Sequence, residues 1–418
     1  MKFTVWTLLG AERLPKESRG KLGIVALLYF IQGSPPAFLW EVVPVYFRLQ
    51  GVSLRSIGGL RLLELPYSLK IFWSPVVHRY GDRRIWVVAS MLVIAVLVAA
   101  LPFLDVARLG WLVLILLLAL TTFSATQDIA IDSYTVGLVS RDEEGAANGV
   151  RASAYRVALV LVGGGMVFLA AVFDWTWLFL GAGTLLALLA LSAFRVPRLE
   201  LSPESRERWL TGFVGWIGTW RAIPLVVFVL TYKLGEFAIG PMVKPFWVDY
   251  GGAIWPSRQE LMFQIGLVPT TFGIVLSVAG ALVGGAFISR KGVFCGIWAL
   301  GLLQAVSNLG YALVAWTDLG RFGLYGASVF ESFSGGLGTA AFLAFLMNVC
   351  QKEHATIQYA FLSSVFSLTG RLIGGISGLG AERFGYGNYF ALTFLLALPA
   401  YLFLPWVKGW IQVEDRKA

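Results

Sequence analysis

The sequence predicts an all-α integral membrane protein with twelve transmembrane helices in two pseudo-symmetric six-helix bundles. Of the 418 residues, 57% are hydrophobic and only 14% are charged, and the mean hydropathy is +0.75. The apolar residues form twelve runs, and the longest polar stretch divides these runs six and six. A soluble domain carries about 25% charged residues. The composition therefore excludes a soluble enzyme, a disordered chain and a nucleic-acid-binding protein.

Each predicted helix corresponds to one apolar run, because a bilayer core about 30 Å thick requires about 20 apolar residues per helix. The runs are residues 22–47, 56–77, 85–103, 109–139, 146–172, 174–194, 221–249, 262–288, 292–315, 321–350, 355–380 and 386–408. A polar linker, 195–220, separates an N-terminal bundle, 1–194, from a C-terminal bundle, 221–418. Two such halves are typical of secondary transporters.

The basic residues predict the orientation of the helices. If both termini are cytoplasmic, the inner segments hold 21 Lys and Arg residues and the outer loops hold six. Lys and Arg accumulate in cytoplasmic loops. We therefore expect a multi-pass protein of the cytoplasmic (inner) membrane with both termini cytoplasmic. The net charge of +9 reflects this topology and does not indicate a nucleic-acid partner.

Twelve charged residues lie inside the apolar runs, and they are the most informative feature of the sequence. Each costs roughly 2.5–3.5 kcal/mol at a helix centre on insertion scales. Such groups persist when they pair with one another or line a wet cavity. The twelve are Arg61, Lys70, Arg156, Lys233, Lys244, Arg371, Glu41, Glu64, Asp128, Asp132, Glu236 and Glu331.

A carboxylate pair lies in the fourth run. Asp128 and Asp132 are four residues apart, so both project from one face of a helix. Two like charges at this distance favour binding of a proton by one of them. Alternatively, Arg156 in the fifth run neutralises them structurally. Both interpretations remain open from the sequence.

The seventh run carries two lysines and one acid. Lys233 and Glu236 are three residues apart, and Gly240-Pro241 is expected to break the helix after them. Lys233 and Lys244 are eleven residues apart and share a helix face, which suits an anionic substrate. The alternatives are that Lys233 only pairs with Glu236 and that Lys244 extends to the membrane surface.

Three further charges and one amide are candidate contacts. Gln32 opens the stretch Gln32–Pro36, which is expected to break the first helix below Glu41. Both side chains are candidate substrate contacts, although Glu41 could instead be solvated at the outer interface. Glu331 in the tenth run has no local partner, so protonation or a cation such as Arg371 must compensate it.

The sequence lacks the residues that several kinds of chemistry require. The two histidines, His78 and His354, fall in loops, and no GxxxxGK[ST] phosphate loop occurs. We therefore expect no enzyme activity, no metal site and no cofactor. An ion gradient must supply the energy, and the buried carboxylates favour the proton.

The loop RYGDRR (79–84) resembles the signature of the major facilitator superfamily, with His78 in place of the usual Asp. A narrower resemblance, to the muropeptide permeases of the AmpG type, runs along most of the chain. It rests on SLKIFWSP (68–75), SATQDI (124–129), AYR (154–156), YKLGE (232–236), FESFSGGLGTA (330–340) and GR (370–371). The stretch 40–46 is more similar to siderophore importers of the same wider group, which also includes acetyl-CoA transporters.

This resemblance implies the major facilitator fold and a proton-driven carrier, and it leaves the cargo open. We expect a monomeric symporter that imports a bulky polar, anionic solute, with an anhydro-muropeptide as the first cargo and an iron–siderophore complex as the alternative. A non-transporting membrane sensor or assembly factor is the other class. The expected proton-coupling residues are Asp128, Asp132, Glu236 and Glu331. The expected substrate contacts are Gln32, Glu41, Arg156, Lys233, Lys244 and Arg371.

Overall fold

The computed structural model describes residues 16–80, 82–140, 143–199, 223–350 and 355–411, and these contain helix and no strand. Each of the twelve predicted runs is occupied by helix. In the described part of the chain, ten helices are long and apolar enough to cross a membrane. The second run falls short because it is segmented. The last two runs form one tract with interruptions at Gly385 and Leu398.

The N-terminal half contains six helices, several with irregular turns. They are α1 (Lys16–Ala37, a π-helical turn Phe38–Val42, and Val43–Leu49), α2 (Leu54–Gly59, Leu60–Glu64, Leu65–Leu69, Lys70–Phe72 and Ser74–Arg79), α3 (Arg83–Ala100), α4 (Trp111–Leu138), α5 (Glu144–Ala158, a π-helical turn Leu159–Gly164, and Gly165–Leu169) and α6 (Trp175–Ser192).

The C-terminal half contains the other six. They are α7 (Ile223–Thr231 and Leu234–Ile254), α8 (Arg258–Ile265, a π-helical turn Gly266–Phe272, and Gly273–Lys291), α9 (Val293–Thr317), α10 (Gly320–Val349), α11 (the part of Ala355–Ala397 before Gly385) and α12 (the part after it, with Pro399–Val407). Residues 200–220 of the predicted linker lie outside the described residues.

The chain folds into two compact units. The first contains α1, α2 from Leu63 onward, and α3 to α6; the second contains Ser53–Leu62 of α2 and α7 to α12. Ser53–Leu62 joins the second unit because Gly58 lies against the backbone of Gly378 in α11. A Cβ atom at Gly378 would lie 1.7 Å from the Leu54 carbonyl oxygen, so only glycine permits this packing.

Both expected helix breaks are wrong in position. α1 continues through Pro35 and Pro36, and the irregularity follows them as a π-helical turn. Pro35 and Pro36 cannot donate to the Ile31 and Gln32 carbonyls, because proline lacks an N–H. In the same turn the Ser34 hydroxyl donates to the Phe30 carbonyl at 2.8 Å. α7 remains helical through Pro241 and breaks earlier, at Tyr232 and Lys233.

Aromatic side chains fill the core of each unit. In the first, the Tyr46 and Phe179 rings lie 4.9 Å apart. In the second, Tyr232 stacks on Phe342 at 5.4 Å and donates to the Ile297 carbonyl at 3.0 Å. Large apolar side chains such as Leu402 remain exposed on the outside. An apolar exterior of this kind is stable in lipid. Tyr232 also fixes the break in α7 next to Lys233.

Candidate functional site

Asp128 of α4 is held by side chains from two other helices of the first unit. The Gln32 amide of α1 donates to Oδ1, and the Lys70 ammonium of α2 donates to Oδ2. Both carboxylate oxygens are therefore occupied. Lys70 makes no other hydrogen bond to a described residue. The sequence identifies Lys70 as a charge inside an apolar run but does not predict that it binds Asp128.

Asp132 is held in a second cluster, one turn along α4. The Tyr29 hydroxyl donates to Oδ1 at 2.6 Å, and Arg151 Nη2 lies 3.3 Å from the same oxygen. The Arg151 guanidinium also covers the Tyr29 ring at 4.6 Å. The two acids of α4 thus have separate cations, Lys70 and Arg151. The alternative in which Arg156 neutralises both acids is wrong.

Arg156 is a half-buried cation in α5 of the first unit. It makes no ion pair with any residue that the structure describes. A guanidinium inside a membrane span is costly unless an anion or water compensates it. Arg156 follows Tyr155, whose backbone and ring lie against Gly33 of α1.

Further polar groups of the first unit lie near the C-terminal half of α1. Glu41 rests on α5 at Gly163, where a Cβ atom would approach the Glu41 Cγ to 2.7 Å. Trp40 donates to the Glu64 carboxylate at 3.1 Å, and the hydroxyls of Tyr67 and Ser124 lie 2.6 Å apart. α1, α2 and α4 therefore present aromatic and polar side chains together.

Lys233, in the break of α7, is fully engaged within the second unit. Its ammonium donates to the Glu236 carboxylate, to Gln304 Oε1 at 2.9 Å and to Thr339 Oγ1 at 3.0 Å. An ammonium has three N–H donors, so this arrangement leaves none for an anionic ligand. Gln304 and Thr339 were not predicted, although a Gln within the apolar run of α9 is an unusual residue.

Glu236 uses one oxygen in this network. Oε2 accepts from both Lys233 and the Gln304 amide. Oε1 has no hydrogen-bond partner among the residues that the structure describes. Gly338 of α10 leaves the space for Gln304, because a Cβ atom there would lie 1.8 Å from Gln304 Oε1.

The remaining predicted residues also lie in the second unit. Glu331 accepts from the Ser332 hydroxyl at 3.3 Å and makes no ion pair within the described chain. It lies within electrostatic range of Glu236, Lys244 and Lys233. Lys244 is buried and donates to Thr270 in the π-helical turn of α8. The alternative in which Lys244 extends to the surface is wrong.

Arg371 of α11 donates to the Ser367 hydroxyl one turn earlier on the same helix. No cluster of three or more His, Cys, Asp or Glu side chains capable of holding a metal occurs in the described ranges. An apolar cavity of about 390 Å³ lies between α5 and α6 in the first unit, lined by residues such as Met166 and Trp177, and contains no charged group.

Two loop carboxylates stabilise one end of the first unit. Asp82 accepts from Arg84 at 2.6 Å, and this hydrogen bond lowers the pKa of Asp82 below its usual value. Arg84 in turn donates to the Val196 carbonyl at 2.8 Å. Hydrogen bonds from Ser18 and from the Ser140 backbone lower the pKa of Glu143 to about 2.

The comparison with known sequences defines the class of protein. The profile of the Major Facilitator Superfamily matches residues 22–375, most of the chain. The chain therefore belongs to the major facilitator superfamily. It is a multi-pass membrane transporter, and its all-helical structure is consistent with the fold of that family.

Within the superfamily, two relatives narrow the comparison. The chain is 28% identical over 395 residues to the anhydromuropeptide permease of Escherichia coli K12, covering 91% of this chain and 78% of the permease. It is 24% identical over 414 residues to the putative transporter AmpG 4 of Rickettsia felis, covering 93% and 97%.

The fold is similar to that of solved transporters. The nucleoside transporter NupG superposes with a TM-score of 0.72 at 14% identity, covering 95% of this chain and 99% of NupG. A bacterial homologue of the human lysosomal transporter Spinster, in an inward-facing and unoccupied conformation, gives 0.70 at 14% identity, covering 95% and 98%. At this identity the likeness establishes the fold alone.

Proposed function

We propose that this protein is a proton-coupled importer of a bulky, anionic sugar-peptide of the anhydro-muropeptide type. The similarity to the anhydromuropeptide permease over 91% of the chain supports the cargo class. The transport cycle is alternating access, in which the binding side chains face one side of the membrane and then the other. The inner segments carry most of the basic residues, which supports a cytoplasmic-membrane protein with both termini inside.

The observation that carries the proposal is the set of available cations in the first unit. Arg156 has no ion pair within the described residues, and Lys70 is engaged only by Asp128. Arg156 lies in a helix long and apolar enough to cross a membrane, and Lys70 lies in the segmented second helix. A solute carboxylate would compensate either cation. The polar and aromatic side chains of Trp40, Tyr67 and their neighbours suit the sugar part of such a solute.

Asp128 couples this binding to protons. An ionised Asp128 holds the Lys70 ammonium, whereas a protonated Asp128 attracts it far less. Lys70 then becomes available to the anionic group of the solute. Proton and solute therefore bind together and leave together, which is symport. Asp132, one turn along α4 from Asp128, is held in place by Tyr29 and Arg151.

Glu331 is the proton acceptor proposed for the second unit. It is a carboxylate within a span that makes no ion pair with any described residue. Protonation removes its charge without requiring a cation. Lys233 and Lys244 hold neighbouring helices together through their hydrogen bonds to Gln304 and Thr270, and Arg371 donates to Ser367 on its own helix.

The test is uptake of a radiolabelled 1,6-anhydro-N-acetylmuramyl peptide by proteoliposomes under an imposed pH gradient. We expect accumulation that an uncoupler abolishes. Asp128→Asn should lose gradient-driven accumulation and keep counterflow exchange, because solute binding remains while proton coupling is lost. Asp105→Asn is the matched control, since it removes a loop carboxylate paired with Arg108 at 3.2 Å.

Three outcomes would reject parts of the proposal. Ligand retention without accumulation would indicate a sensor or assembly factor. Inhibition of uptake by a ferric siderophore, together with siderophore accumulation, would move the cargo to iron complexes. Normal gradient-driven accumulation by Asp128→Asn would remove this residue from proton coupling.

A further inference from the structure

The two units each contain a lysine–carboxylate pair, and the accessible member differs between them. In the first unit, the Lys70 side chain is 33% exposed and Asp128 is 17% exposed. In the second unit, the Lys233 side chain is 2% exposed and Glu236 is 34% exposed. The first unit therefore presents a cation supported by a more buried acid. The second presents an acid supported by a fully buried cation.

The hydrogen bonds show the same inversion. Both oxygens of Asp128 are occupied, by Gln32 and Lys70, while Lys70 has N–H groups to spare. All three N–H groups of Lys233 are occupied, while Glu236 Oε1 has no partner in the described chain. Each unit thus fixes one charged group by its buried partner and leaves one functional atom available.

The available oxygen of Glu236 favours a cationic ligand group. Lys233 and Gln304 both bind Oε2, so the carboxylate is held in a fixed position and Oε1 requires no rearrangement to accept a hydrogen bond. Glu331 is a second acid of this unit, makes no ion pair in the described chain and lies within electrostatic range of Glu236. Hydrogen bonds between an ammonium and a carboxylate are stronger than those between neutral groups.

We propose that Glu236 binds an ammonium group of the transported solute through Oε1. The transported solute then carries an ammonium group, and Glu236 of the second unit is its contact. The inference rests on the proposed import of a sugar-peptide. It replaces proton coupling at Glu236 with recognition of charge, and it leaves proton coupling to Asp128 and Glu331.

The experiment compares two probes that differ by one positive charge. The probes are 1,6-anhydro-N-acetylmuramyl-L-alanyl-D-isoglutaminyl-L-lysine and its Nε-acetylated form. Their dissociation constants for the purified full-length protein are measured by titration calorimetry. We expect the wild-type protein to prefer the free amine about tenfold or more. Glu236→Gln should reduce this preference to about one, because the amide keeps its contact with Lys233 and loses the charge.

A matched control and a second probe separate recognition from folding. Asp318→Asn removes an acid of the same unit, hydrogen-bonded to Tyr250 at 2.7 Å, and should keep the amine preference. The second probe is the same peptide with an amide in place of its C-terminal carboxylate, which the wild type should bind more weakly. Lys70→Gln should keep the amine preference and bind the carboxylate and amide forms equally. Each ratio is measured within one variant, so partial misfolding cancels.

An unchanged amine preference in Glu236→Gln, or equal binding of the two peptides by the wild type, would overturn this inference and leave the proposed import intact. Binding of neither peptide to the wild type would overturn both.

Discussion

Several buried charges of this transporter are compensated by residues that are distant in the sequence or by a network of neutral groups, whereas Arg156 and Glu331 make no ion pair in the described chain. Asp128 binds Gln32 and Lys70, which precede it by 96 and 58 residues. Lys233 pairs locally with Glu236 but also requires Gln304 and Thr339 from other helices. A charge in low dielectric is strongly destabilising when its partner is removed. The pairs therefore act as structural as well as functional units.

Removal of Lys70 alone should destabilise the protein more than removal of the whole pair. We expect Lys70→Gln to cost about 2 kcal/mol of unfolding free energy, less than for a fully buried pair because Lys70 is partly exposed. The double variant Lys70→Gln/Asp128→Asn should recover part of this loss, since no carboxylate is left uncompensated. Thermal unfolding in detergent measures both. A double variant less stable than Lys70→Gln would contradict the ion-pair account.

Glu143 should make the stability of the first unit depend on acid pH. Its pKa is lowered to about 2 in the folded protein from 4.5, so it stabilises the fold fully above about pH 4.5. This contribution declines as the pH falls toward 2. The melting temperature of the wild type should exceed that of Glu143→Gln at pH 6, and more than half of the difference should disappear at pH 3. A constant difference would show that Glu143 does not titrate as described.

At the level of the helices, the apolar runs predict the elements well, because length and hydropathy directly determine which segments cross a bilayer. The irregular turns were not predictable. α2 is divided into α and 3-10 segments, and α7 breaks at Tyr232, where tertiary packing on Phe342 and Ile297 overrides local sequence preference. The Pro241 expected to break α7 lies within an intact helix.

The candidate site was predictable in its charges and not in its pairings. The four-residue spacing of Asp128 and Asp132 marks one face of α4, but spacing within a helix carries no information about which cation lies on another helix. The interpretation in which Arg156 neutralises the two acids is wrong, because Lys70 and Arg151 bind them. Sequence alone identifies which groups need compensation. Only the fold shows which of these groups still have atoms that could contact a ligand.

Two glycines of α10 provide a test of helix packing around Glu236. Gly338→Ala should displace Gln304 and so weaken its contacts with Lys233 and Glu236, because the new Cβ would lie 1.8 Å from Gln304 Oε1. Gly335→Ala, one turn earlier, meets Gln304 only at 4.0 Å and should be neutral or slightly stabilising. Melting temperature and peptide affinity measure both variants. Equal behaviour of the two would show that Gln304 does not support this site.

At the scale of the whole molecule, charge distribution and exposed apolar surface serve different purposes. The apolar exterior, with side chains such as Trp177 and Leu282 exposed, suits contact with lipid chains. The basic residues of the loops support the proposed orientation in the membrane. The buried ionised groups belong to neither category. Several of them pair within the protein, and such groups in a membrane span mark candidate functional sites.

The proposed orientation predicts which loops react with an impermeant thiol reagent. In a Cys295→Ser/Cys350→Ser background, which removes both native thiols, a single cysteine is introduced at Ala107 or at Arg290. Both positions are exposed, the first between α3 and α4 and the second at the end of α8. We expect Ala107→Cys to react with a charged maleimide added to intact cells. Arg290→Cys should react only after permeabilisation, because the positive-inside rule places its loop in the cytoplasm.

The reverse labelling pattern would show that the topology is inverted, and with it the proposed direction of import. Uptake by each variant, measured in parallel, establishes that the labelled protein is folded.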